Sequence, residues 1–216
     1  MGSFAPYELV LFDLDGTLIN SIDLIVATWQ HLGRAILGTE PTREEITPLI
    51  GLPLLEAAAR LAPERPAEVV QLYREWNVGH HDEYVTACTG MVGLVGRLKD
   101  AGLHAGVVTA KMRSLAERGL RVCGYGGLIE VACAVEDTAR HKPAPEPLLT
   151  GVTRMDGSPG SAAYVGDAVW DLRAARAAGM PGIGVTWGAG GAGELRAERP
   201  LAVVDTADQL GALLLG

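Results

Sequence analysis

Between residues 91 and 204 the sequence switches repeatedly between helical and strand periodicity, and this alternation leaves few folds open. Met91–Ala101 reads as a helix and "LHAGVVT" (103–109) as a strand, then Met112–Cys123 as a helix and "VACAV" (131–135) as a strand. Pro145–Arg154 is helical, "AAYVGD" (162–167) a strand, and Ala168–Ala178 a helix with Gly179 placed as its C-terminal stop. "GIGVTW" (182–187) and "LAVV" (201–204) read as strands, and a short helix closes the chain. An earlier strand, 8–12, is apolar almost throughout, as a strand buried on both faces should be. Alternating strands and helices imply a parallel sheet covered on both sides, an α/β fold.

The stretch between residues 20 and 84 breaks the pattern. Ile22, Ile25, Val26, Trp29, Leu32 and Ile36 fall at steps of three and four, which predicts an amphipathic helix with Ser21 as its N-cap. Residues 42–62 read as short helices broken at Pro48, Gly51 and Pro53. Val69, Leu72, Tyr73, Trp76 and His80 predict another helix. A small helical module is therefore expected after the first strand.

In parallel sheets, function gathers at the carboxyl ends of the strands. The first strand ends at Asp13, with Asp15 two residues on; the second ends at Thr109; the fourth ends at Gly166 and Asp167. "HKPAPEP", with Lys142, follows the third. Two carboxylates as close as Asp13 and Asp15 repel, so a positive partner or a chemical task is required.

Composition narrows the function. The 216 residues are 48% hydrophobic and 20% charged, enough for a full core. The net charge of -8 and the lack of a basic stripe argue against nucleic acid. No apolar run reaches membrane-spanning length. "MGSFAP" leads almost directly into the first strand without a basic and then apolar leader. Pro6 stands where a myristoylation signal needs Ser or Thr, and a cytoplasmic location is expected. Cys88, Cys123 and Cys133 form no CxxC pair and read as buried, reduced thiols. Only three of the 18 basic residues are lysines (Lys99, Lys111 and Lys142), so these are candidate places where a compact ammonium is wanted in place of a planar guanidinium.

Asp13, Asp15 and Asp167 together suit one hard divalent cation such as Mg²⁺, which would remove their mutual repulsion. Asp171, four residues after Asp167, lies on the same helix face. Thr109 and Lys142 fit a phosphoryl group: the hydroxyl and the Ala110 N–H donate to phosphate oxygens, and the ammonium balances charge. A carboxylate can be the nucleophile, and a second one can exchange protons with leaving group and water.

"DLDGTL", "VVTAK", "HKPAPEP" and "VGDAVWDLRAARAAG", in that order, closely resemble the motifs of the haloacid dehalogenase superfamily of phosphatases. The resemblance implies a Rossmann-like core, residues 1–19 and 85–216, with an inserted helical cap over 20–84. It implies Asp13 as nucleophile and Asp15 as general acid/base, with Thr109, Ala110, Lys111 and Lys142 at the phosphate. Asp13, the Asp15 carbonyl, Asp167 and Asp171 would hold or orient Mg²⁺. Asp15 separates the chain from true dehalogenases, which lack that acid. "VVTAKMR", "HKPAPEPLL" and "GVTWG" are similar to the phosphoglycolate phosphatase and pyrophosphatase branch, although Asn20 replaces its usual acid and Ala110 its Asn or Ser. The expectation is a Mg²⁺-dependent phosphatase of a small phosphorylated metabolite, phosphoglycolate among the candidates, acting as monomer or homodimer without nucleic-acid or membrane partners. A pyrophosphatase, a phosphomutase and a non-enzymatic phospho-acceptor remain as alternatives.

Other residues carry weaker expectations. Lys111 either reaches the leaving group or is a solvated charge, and Lys99 is a surface residue. His80 and His81 read as a solvated helix face, and His141 as a loop residue beside Lys142. "GAGGAG" (188–193) fits GxGxxG but sits too late in the chain for a dinucleotide fingerprint, and reads as a loop bordering the site. "LIGLPL" (49–54) is expected to face the substrate, with Arg60 and Arg65 the nearest charges of note in the helical module.

Overall fold

The computed structural model describes residues 7–216. The expectations resting on residues 1–6, the lack of a leader and the reading of Pro6, lie outside the described residues. The chain opens with β1 (Leu9–Phe12) and a short β2 (Ile19–Asn20), followed by α1 (Ile22–Leu32), α2 (Arg43–Ile46), α3 (Leu54–Leu61) and α4 (Pro66–Tyr84). A short β3 (Thr86–Ala87) leads to α5 (Met91–Asp100), β4 (His104–Val108), α6 (Arg113–Val122) and β5 (Glu130–Cys133). Then come α7 (Glu146–Arg154), β6 (Ala162–Gly166), α8 (Val169–Ala177), β7 (Gly182–Val185), α9 (Ala192–Ala197), β8 (Ala202–Val204) and α10 (Ala207–Leu215).

Six strands form one parallel sheet in the order β5-β4-β1-β6-β7-β8. Alternation along β1 sends Val10 and Phe12 into the core on one face and Leu9 and Leu11 into the core on the other. This is the parallel α/β sheet expected from the alternating pattern, and the Rossmann-like core that the resemblance implies. The strand order reverses at β1, between β4 and β6, and a crevice opens at their carboxyl ends. Phe12 is in register with both Val107 and Val165, so Asp13, Thr109 and Asp167 all emerge into that crevice.

The helices from α1 to α4 have a core of their own, in which Val26, Trp29, Leu32, Ile46, Val69 and Tyr73 pack together. The sequence pattern missed the two strands at the ends of this segment: β2 and β3 pair antiparallel, Ile19 with Ala87 and Asn20 with Thr86. Ser21 does not cap α1 through its side chain, since its hydroxyl is drawn instead to Asp15. His81 is buried, contrary to the solvated reading; it packs against the Gly119 position of α6. All three cysteines are free and buried. Among the described residues no helix is long and apolar enough to cross a membrane.

Candidate active site

β1 stops at Phe12 because the chain turns there. Asp13 continues only as far as an N–H donated to Val165 O at 2.8 Å, and Gly16 then takes φ +83°, a conformation open to glycine at little cost. A Cβ at Gly16 would overlap the Asp167 carboxylate, so the turn also lets the two loops close on one another. Asp13 and Asp15 consequently point to different partners, and each has its own ammonium.

Lys142 Nζ donates to Asp13 Oδ1 at 2.8 Å and to Asp171 Oδ1 at 2.6 Å, with the Tyr164 hydroxyl oxygen at 3.2 Å. Asp13, Lys142, Asp167 and Asp171 are all buried. Burial alone would lower the Lys142 ammonium, but Asp13 and Asp171 outweigh it and hold the group charged well above its usual range. Burial, aided by the Asp171 charge, pushes Asp13 up to about 7 against the pull of Lys142. Burial and the charges of Asp171 and Asp13 likewise raise Asp167.

Asp15 is held differently. Lys111 Nζ donates to its Oδ1 at 2.6 Å and Ser21 Oγ at 2.5 Å. Burial raises its carboxyl, but Lys111 and Ser21 together hold it below the ordinary value. Lys111 is therefore largely buried in an ion pair with Asp15, not a solvated charge. The repulsion between Asp13 and Asp15 is met by two lysines, Lys142 and Lys111.

Asp13, Asp167 and Asp171 each offer an oxygen within 4.8 Å of the others. Three buried carboxylates against one ammonium, all hard oxygen donors, fit a small divalent cation such as Mg²⁺. The Asp15 carboxylate lies outside this group. Asp167 is fixed by Thr17 Oγ1, donating to Oδ1 at 3.0 Å, and by the Ala189 N–H, donating to Oδ2 at 2.6 Å. The glycine-rich loop therefore wraps Asp167, more than bordering the site. The N-cap of α8 is Ala168, whose N–H donates to Asp171 Oδ2 at 3.0 Å.

Thr109 is buried at the end of β4, where its N–H donates to Cys133 O at 2.9 Å and its Oγ1 accepts from the Lys111 N–H at 3.1 Å. Thr109, Ala110 and Lys111 line a cavity of about 630 Å³ together with Asp13, Asp15 and His141. Its far wall is the helical segment: the 49–54 loop, Trp29, Tyr73 and Asn77. Arg60 and Arg65 do not line it. Arg60 pairs with Glu56 and lies over Trp170, and Arg65 reaches Ile36 O and Glu68. The arginines at the cavity are Arg74 and Arg118, which the sequence reading did not single out. Arg118 Nε lies 2.8 Å from Asp82 Oδ1, and Asp82 is also 2.8 Å from His81 Nδ1. The other His81 nitrogen has no partner among the described residues, and burial holds the imidazole pKa below its usual range.

A family model described as haloacid dehalogenase-like hydrolase matches residues 10–185, from β1 to the end of β7. The chain belongs to that family. Pyrophosphatase PpaX of Bacillus velezensis is 36% identical over 191 residues, 88% of each chain. The protein of the same name from Bacillus mycoides is 33% identical over 201 residues, 93% of this chain and 94% of its own. A haloacid dehalogenase-like family hydrolase from Streptococcus pneumoniae superposes with a TM-score of 0.86 at 21% identity, covering 96% of this chain and 98% of that one. A β-phosphoglucomutase from Clostridium difficile does so with a TM-score of 0.81 at 21% identity, over 94% and 93%. These two structures share the fold. The chain is thus a hydrolase of the phosphatase kind within the haloacid dehalogenase-like family.

Proposed function

We propose that this protein is a Mg²⁺-dependent phosphohydrolase that works through an aspartyl-phosphate on Asp13, with pyrophosphate as the first substrate to test. The observation that carries the reading is the separation of the two carboxylates: Asp13 beside Lys142 and the acidic group, Asp15 beside Lys111 and Ser21. Two acids with different partners can take different roles.

Asp13 Oδ1 is engaged by Lys142, which leaves the carboxylate oriented to attack phosphorus. A bond forms between Asp13 and phosphorus as the bond to the leaving oxygen breaks, and its electron pair departs with the leaving group. Thr109 Oγ1 and the Ala110 N–H donate to the non-bridging oxygens. Lys142 stays beside Asp13 and offsets the charge gathered there. Water then attacks phosphorus, Asp15 takes its proton, and the Asp13 carboxylate is released. Mg²⁺ would be held by Asp13, Asp167, Asp171 and the Asp15 carbonyl, and would neutralise charge on carboxylates and phosphoryl oxygens.

Residues 20–84 act in this reading as a cap, closing on the site to exclude bulk water and opening for exchange. The paired β2 and β3 at the segment's ends support this role, as does its separate core. Pyrophosphate is favoured over the phosphoglycolate expectation by the relatives called pyrophosphatases and by the charge state of Asp15. A carboxylate held ionised by two donors is a poor acid, which suits a leaving group that departs as a stable anion.

The test is phosphate release from pyrophosphate, phosphoglycolate and sugar phosphates, with Mg²⁺ and with EDTA, for the wild type and Asp13→Asn. Mg²⁺-dependent release abolished by Asp13→Asn is expected. Release that survives the substitution would remove Asp13 as nucleophile.

A further inference from the structure

The charge around the cavity has a direction. The chain carries a net charge of -8, yet among the described residues the acids lining the cavity are Asp13 and Asp15 alone. Beyond them the charged lining is cationic: Lys111, Arg74 and Arg118. Lys111 is committed to Asp15. Arg118, on α6, is held in a fixed pose, its Nε 2.8 Å from Asp82 and its Nη1 donating to Val78 O at 3.0 Å. Both partners belong to α4, so this arginine bridges the helical segment and the core. Arg74, also on α4, is exposed and has no carboxylate within 4.0 Å among the described residues. It sits three and four residues before Asn77 and Val78, on the helix face that lines the cavity.

The rest of the helical wall is a poor surface for a sugar. Ile25, Trp29, Leu49, Leu52 and Leu54 are apolar. The Asn77 amide nitrogen is already used, Nδ2 donating to Thr28 Oγ1 at 3.0 Å. A ring of hydroxyls bound there would lose water and gain few partners. An anionic group would meet two guanidiniums, one of them without a counter-charge.

We infer that Arg74 and Arg118 receive the leaving-group side of the substrate, and that the site selects phosphates whose leaving group bears its own negative charge: a second phosphoryl group or a carboxylate. This rests on the phosphohydrolase reading only for which end of the ligand is called the leaving group.

The experiment is calorimetric binding with Mg²⁺ to the Asp13→Asn protein, which binds without transfer. The ligands are pyrophosphate, phosphoglycolate and ethyl phosphate, the last matching phosphoglycolate in size but lacking its carboxylate. Both anionic ligands are expected to bind about tenfold or more tightly than ethyl phosphate. Adding Arg74→Gln or Arg118→Gln is expected to erase most of that preference, and Arg74→Lys to restore part of it. Equal affinity for all three ligands, or a preference that survives both substitutions, would overturn the proposal. Arg74 is exposed and unpaired, so its variant folds even where Arg118→Gln does not. Tighter binding of pyrophosphate identifies the second phosphoryl group as the natural partner, and tighter binding of phosphoglycolate identifies a carboxylate. Because the readout is binding, failure of the wild type to release phosphate would overturn the enzymatic reading alone.

Discussion

Lys142 Nζ sits between two buried carboxylates, 2.8 Å from Asp13 and 2.6 Å from Asp171, on a loop 129 residues from the first and 29 from the second. The ammonium is what allows two acids to be buried side by side at the end of the sheet. Desolvating an unpaired charge costs several kcal/mol, and the ammonium offsets that cost for both.

Lys142→Met is therefore expected to lower stability in EDTA by about 3–5 kcal/mol, the usual range when one member of a buried ion pair is removed. Urea unfolding measures it. Mg²⁺ should recover part of the loss by supplying positive charge to the same acids. A loss below about 1 kcal/mol would show that the carboxylates do not depend on this lysine.

The metal-free protein should also show a particular pH dependence. Asp13 is pushed up to about 7 and Asp167 is raised as well, whereas unfolded aspartates titrate near 3.9. Between those values the folded state binds more protons than the unfolded state, so these acids make stability fall as pH rises from about 4 to about 7. With Mg²⁺ the fall should disappear. Urea midpoints at pH 5, 6, 7 and 8, with EDTA and with Mg²⁺, test this. A fall of the same size in Asp13→Asn would assign it to other groups.

Much of this site was legible in the sequence, for a physical reason. Strand periodicity fixes which residues end each strand, and in a parallel sheet those ends converge, so Asp13, Thr109 and Asp167 could be grouped from pattern alone. What stayed hidden depends on contacts distant in sequence or on buried polar groups. The buried face of α4 runs Val69, Tyr73, Asn77, His81, a strict step of four. A search for apolar residues follows Trp76 and His80 instead, because Asn77 and His81 do not register as core. The roles of Arg74 and Arg118 likewise depend on how α4 meets α6, and no local spacing records that.

Gly188 is a contact of this hidden kind. A Cβ there would overlap the Asp167 carboxylate, whose Oδ2 also accepts from the next N–H, that of Ala189. Gly188→Ala should displace Asp167 while the sheet stays intact. Activity is expected to need about tenfold more Mg²⁺, within the range seen when support to metal ligands is lost. Unchanged Mg²⁺ dependence would mean that the loop yields without moving Asp167.

Away from the site, Asp137 joins the segment after β5 to two helices. Its carboxylate lies 2.6 Å from Arg113 and 2.7 Å from Arg154 and accepts from the Ala134 N–H. The hydrogen bond from Arg154 comes first among the interactions holding its pKa far below the usual range, and together with Ala134 and Arg113 it outweighs the opposing effect of burial. A depressed folded pKa contributes stability that is fully present above the unfolded value near 3.9 and is lost as pH falls below it. Both arginines are partly exposed, so Asp137→Asn should cost about 1–2 kcal/mol at pH 7. The gap between wild type and variant should close between about pH 4 and pH 2. Urea titrations across that range would reject the idea if the gap is constant.

Lys111 tests the division of labour between the two carboxylates. Its ammonium, 2.6 Å from Asp15, is the strongest influence lowering that carboxyl against burial. Lys111→Met removes it, and the Asp15 pKa should rise, as it does when an adjacent opposite charge is lost. If Asp15 is the base that takes a proton from water, it must be ionised to work. The acidic limb of the pH profile of kcat should then move to higher pH by the same amount, while Lys111→Arg, which keeps the charge, should hold it near its original place. A limb that stays put in Lys111→Met would mean that the group limiting activity in acid is Asp13 or its neighbours.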